Sequence, residues 1–226
     1  MNTEKDKFFH ALFFPMILLV LMWIVRLIEY GFGIDLSQFG IHPLHADGLP
    51  GILLAPFIHG GFKHLLANTF PFLILSVALF YFYHKIGLKV LIFIWVMSGI
   101  WVWFGGRQAY HIGVSGVIYG LAAFLFLSGV LRKNTQLAAL SLIVVFLYGG
   151  MIWGIFPEFF PKENISWESH LGGLFAGVVI AIYYRKEGPQ RKKYSWELEE
   201  DDDMEDENAY WKSNITSWPE KNDNDY

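Results

Sequence analysis

The sequence predicts an all-α polytopic membrane protein with six transmembrane helices and a long first outer loop. Composition is the first reason. Of 226 residues, 54% are hydrophobic and 18% aromatic, only 17% are charged, and mean hydropathy is +0.36. A soluble domain carries about a quarter charged residues. The second reason is six apolar runs, near 9–29, 65–83, 88–104, 114–131, 137–156 and 169–184, each close to the roughly 20 residues that span a bilayer. The third is the short polar breaks between most of them, such as His84-Lys85, Gly105-Gly106-Arg107 and Arg132-Lys133-Asn134. Six such runs in one small chain leave almost no polar surface to cover them in water.

Taken in order, the first run is too long, and has too many successors, to be a cleaved signal peptide. Residues 30–63 follow as an outer loop with Gly, Pro and His but no long apolar helix. The remaining five runs complete a membrane domain over residues 1–194. Residues 195–226 hold twelve acids and two bases and read as an acidic, mostly disordered cytoplasmic tail. With the N-terminus inside, eleven Lys and Arg face the cytoplasm, and Arg26, Lys63, Arg107 and Lys162 face out. The positive-inside bias therefore puts both termini in the cytoplasm. The chain has no cysteine, which excludes thiolate nucleophiles and Cys-ligated zinc or iron–sulfur clusters. It also lacks a P-loop, a GxGxxG and an HExxH.

Polar groups inside spanning helices are costly and mark function. Runs two, four and six all descend from the outer face, and each opens with such groups: His64 and Asn68, then Ser115, then His170. Gly116 and Gly120 form a G-x-x-x-G on run four, and Gly173 and Gly177 form another on run six. Small residues at this spacing let helices approach closely. His170 shares the glycine face of its helix by its i, i+3, i+7 spacing. Close packing of runs four and six brings a hydroxyl to an imidazole, the minimum for nucleophilic catalysis. His64 and Asn68 share one helix face and are placed to donate to an oxyanion. Taken singly, each of these residues has a structural reading as a cap, a packing glycine or a satisfied histidine. A metal reading uses His59, His64 and His170, helped by His42 and His45 of the loop. Asp47 is the nearest acid in sequence to His59 and His64, and zinc or copper normally recruits a carboxylate or thiolate, so no metal is assigned.

Three motifs in this order resemble the rhomboid intramembrane serine proteases. His59-Gly-Gly-Phe-Lys-His64-Leu-Leu-Ala-Asn68 looks like the family's H-x-x-x-x-H-x-x-x-N. Gly113-Val-Ser115-Gly-Val-Ile-Tyr119-Gly120 resembles its GxSG segment, and Ser169-His170-Leu-Gly-Gly173-Leu-Phe-Ala-Gly177 is similar to its final-helix motif. The resemblance covers roughly residues 8–185. It implies a rhomboid-like fold with Ser115 as nucleophile and His170 as base, without a third acidic member. It further implies an oxyanion hole of His64, Asn68 and the Ser115 N–H. Tyr119 would pack on the histidine ring, Gly113 and Gly116 would shape the serine turn, and His59 would be structural. Two departures stand out. Residues 30–63 lack the Trp-Arg pair of many members, and Ser169 replaces the frequent alanine.

These residues lead to an expected intramembrane serine endopeptidase that cleaves single-span membrane proteins near the outer face. The setting is a multi-pass integral membrane protein of a prokaryotic plasma (inner) membrane, with the lipid bilayer as partner, no nucleic acid and no cofactor. The alternative is a non-proteolytic relative that binds transmembrane clients. A transporter fits less well, because the inner halves of these runs are almost wholly apolar.

Overall fold

A computed structural model describes residues 3–147 and 166–189. Among them all regular structure is helical. The second half of the fifth apolar run and the acidic tail lie outside the described residues.

Helix α1, Glu4–Phe32, has 29 residues and is about 43 Å long. It starts five residues before its apolar run. The Thr3 hydroxyl accepts the Asp6 N–H at 3.2 Å, and Glu4 and Asp6 sit in the first turn, where the helix dipole favours negative charge. Gly33, at φ 64°, ends the helix. Its left-handed backbone suits glycine.

The outer loop is a string of short turns rather than one helix. It contains 3₁₀ turns at Ser37–Phe39, Ala46–Gly48 and Ala55–Phe57 and the four-residue helix α2, Gly51–Leu54. Hydrogen bonds fix both ends. Buried Glu29 accepts the Leu36 N–H at 3.1 Å and pairs with Arg26 at 3.3 Å, and Arg26 also donates to the His59 carbonyl at 3.5 Å. Further along, Ile41 and His111 exchange two backbone hydrogen bonds of 2.9 Å, and the Gly113 N–H donates to the Ala55 carbonyl at 2.8 Å. The loop therefore holds the segment that leads into Ser115.

The remaining helices are α3 (Phe62–Phe82), α4 (Gly87–Gly105), α5 (Ser115–Leu131), α6 (Thr135–Leu147) and α7 (Trp167–Tyr183). By length and composition α1, α3 and α4 can cross a membrane. At 17 residues each, α5 and α7 extend about 26 Å. Helix α5 packs against α3, α4, α6 and α7, and the core around it includes Leu65, Phe72, Ile94, Leu121 and Phe124. Phe13, Leu27, Phe104 and Tyr183 instead point outward, which suits lipid rather than water.

Glycine sets the α5–α7 distance. A Cβ on Gly173 would collide with the Gly116 carbonyl, and one on Gly177 with the Gly120 carbonyl. At the far end of α5, buried Arg132 donates to the carbonyls of Tyr184 and Glu187. Helices α5 and α7 are thus joined along their length.

Candidate active site

Ser115 is the first residue of α5, where backbone N–H groups have no acceptor within the helix. Gly113, two residues earlier, has φ 101°, a backbone that side-chain-bearing residues avoid. His170 lies in the first turn of α7. Its Nε2 is 3.0 Å from the Ser115 Oγ, and both residues are buried. The Tyr119 ring, one turn beyond Ser115 on the same face, stacks on the imidazole at 4.2 Å and 13°. A buried hydroxyl in hydrogen-bond contact with an imidazole is the geometry of a nucleophile and its base. Glu168 is not a third member by position. It precedes His170 by two residues, about 200° around the helix, and pairs with Arg107 at 3.3 Å.

His64 and Asn68 enter from α3. A Cβ on Gly113 would stand 2.9 Å from the His64 ring, so this glycine lets the imidazole lie against the turn before Ser115. Asn68 is buried, and its Nδ2 has no hydrogen-bond partner among the described residues. A buried amide with open donors is costly, and an incoming oxyanion would satisfy it. The His59 ring packs edge-on against His64 with centroids 5.0 Å apart. Burial, helped by the neighbouring His64, pushes the His59 pKa down to about 3, so His59 is neutral at physiological pH. Gly116 makes room on the other side. A Cβ there would stand 2.6 Å from Ser98 Oγ and 2.9 Å from the Ser169 carbonyl.

Behind His170 lies a polar chain that sequence reasoning misses. His111 Nε2 is 3.0 Å from the Arg107 carbonyl, which only accepts, so this nitrogen carries the proton. His111 Nδ1 therefore accepts from the Ser166 hydroxyl at 2.6 Å. Ser166 Oγ in turn receives the Ser169 hydroxyl at 2.6 Å and caps α7 by accepting the Ser169 N–H. Burial lowers the His111 pKa, although the Arg107 carbonyl and Glu168 act the other way. The chain fixes the first turn of α7 and hence His170. A serine just ahead of an apolar run is an N-cap signal, and Ser166 stands three residues before the sixth run begins.

The Rhomboid domain description matches residues 48–187. The chain belongs to the rhomboid family. It is accordingly an integral membrane protein, and its matched region contains every site residue named above. An uncharacterized protein of Mycobacterium tuberculosis is 36% identical over 182 residues, covering 76% of this chain and 73% of the relative. An uncharacterized Mycobacterium leprae protein is 35% identical over 188 residues, covering 77% and 70%. A protein of Acanthamoeba polyphaga mimivirus that carries the rhomboid name is 34% identical over 137 residues, covering 58% of this chain and 73% of its own.

Proposed function

We propose that this rhomboid is an intramembrane serine endopeptidase. The observation that carries the reading is the 3.0 Å contact between buried Ser115 Oγ and His170 Nε2. Ser115 attacks the carbonyl carbon of a peptide bond while His170 takes the hydroxyl proton. The tetrahedral oxyanion receives hydrogen bonds from Asn68, from His64 and from the Ser115 N–H. Collapse breaks the C–N bond, and His170 returns its proton to the leaving amine. Water then attacks the acyl-serine with His170 again as base, which restores the enzyme. Tyr119 holds the imidazole plane through the cycle.

The substrates are single-span membrane proteins. Their helices unwind near the outer face to present an extended backbone to Ser115. Both termini lie in the cytoplasm of a prokaryotic cell whose plasma (inner) membrane holds the protein. The Lys/Arg asymmetry supports this orientation. The test is incubation of purified protein with a labelled single-span substrate, beside Ser115→Ala. Cleavage by the parent alone is expected. Equal cleavage by both overturns the mechanism, and binding without cleavage by either favours a client-binding relative.

A further inference from the structure

The outer loop carries a second cluster of chemistry-bearing side chains, apart from Ser115 and His170. His42, His45 and Asp47 form an H-x-x-H-x-D, and one ligand atom from each lies within 4.8 Å of the others. The two imidazoles stack at 3.9 Å and 4°, and His42 Nδ1 is 3.5 Å from Asp47 Oδ2. His42 Nδ1 is shut off from solvent yet makes no hydrogen bond among the described residues. The Asp47 carboxylate faces this buried nitrogen without a hydrogen bond to it, an unsatisfied pairing that a bound cation would complete.

The backbone forces this grouping. Leu44, between the histidines, has φ 61°, a conformation that residues with a Cβ rarely adopt. Gly48 passes so close that a Cβ there would meet the His42 backbone, 2.6 Å from its Cα. The turn is also clamped from outside. Leu44 N–H donates to the Trp103 carbonyl at 3.0 Å, and Trp103 Nε1 donates to the His45 carbonyl at 3.0 Å. Gln108 Nε2 donates to the Pro43 carbonyl at 3.4 Å. The turn therefore persists through contacts made outside the cluster.

We propose that His42, His45 and Asp47 form a binding site for a divalent late-transition-metal ion of the zinc class. Two imidazoles and a carboxylate suit zinc, nickel or copper, whereas calcium and magnesium want oxygen ligands alone. Zinc bonds of about 2.0–2.2 Å bring tetrahedral ligands closer than the present spread. Exposed His45 and Asp47 rotate to close it, while His42 already presents its buried Nδ1. Three protein ligands leave a fourth position for water. The bound ion would tie residues 42–47 together one residue after the Ile41–His111 bridge, and so stiffen the loop that holds the segment leading into α5.

The test uses tag-free full-length protein in detergent micelles near neutral pH, titrated with zinc chloride against a chromophoric chelator. One zinc per chain is expected, with a saturable rise in Tm and no such rise with calcium chloride. His45→Ala and Asp47→Asn, both at exposed positions, should each weaken zinc binding by about tenfold or more. His64→Gln should bind zinc as the parent does. Parent protein that takes up no zinc overturns the proposal. So does unchanged affinity in the His45→Ala and Asp47→Asn variants, or loss of zinc in His64→Gln, which would move the ion to the other histidines.

Discussion

Helices α1 and α5 are both apolar runs, but they are used in opposite ways. Helix α5 buries twelve of its 17 residues, and α1 buries five of its 29. Hydrophobicity does not make that difference, since lipid solvates a Leu as well as a protein interior does. The difference lies in small residues. Gly116 and Gly120 let the α7 backbone approach α5 to near contact, with Gly173 and Gly177 answering from the other side, while the outward face of α1 carries Phe13, Leu21, Ile24 and Leu27. In a membrane domain the helix that can be approached most closely becomes the centre, and this one carries Ser115.

Filling the α5–α7 seam should have the largest effect. Gly173→Val places a branched side chain against the Gly116 carbonyl, so α7 must move and take His170 with it. Proteolysis should fall below detection and Tm should drop sharply, read by substrate cleavage and a thermal melt of the same sample. Asn68→Ala, on α3, tests the chemistry beside the seam without opening it. If Asn68 is the proposed oxyanion donor, the rate falls by about 100- to 1,000-fold with Tm almost unchanged, measured as cleavage rate per folded molecule.

A smaller effect separates the loop from the helices through pH. The His59 pKa, about 3 when folded against an ordinary 6.5, means that the unfolded chain binds a proton in that window and the folded chain does not. Stability is therefore full above pH 6.5 and falls as pH drops toward 3. His59→Gln should flatten this slope in a plot of Tm against pH. The smallest effect belongs to α1. Ile24→Ala, on its exposed face, should change stability by no more than about 0.5 kcal/mol, read from denaturant or thermal unfolding in micelles.

Much of this arrangement is legible in the sequence. The apolar runs mark the helices because a spanning segment must be long and continuous. The two glycine pairs mark the α5–α7 seam because their spacing is helical, and His170 sits on that same face. The outer loop is far less legible. Its path depends on the Ile41–His111 bridge and on Trp95 Nε1 donating to the Ile52 carbonyl at 2.9 Å, contacts between distant residues that leave no periodic trace. The same holds for the chain from His111 through Ser166 to Ser169, whose members look like unrelated polar residues. The polar first turn of α1 lies outside any hydropathy signal because its capping, not its burial, makes it helical.

In the proposed mechanism the α5–α7 seam makes Ser115 a nucleophile by placing His170 against it. The most direct measurement is the rate of covalent labelling by a fluorophosphonate probe, which reacts with activated serines whatever the natural substrate. Parent protein, Ser115→Ala and His170→Ala are compared at equal amounts of folded protein. The parent should be labelled stoichiometrically at Ser115 and neither variant should be labelled, because the hydroxyl is inert without its base. Labelling of His170→Ala at the parent's rate would contradict it.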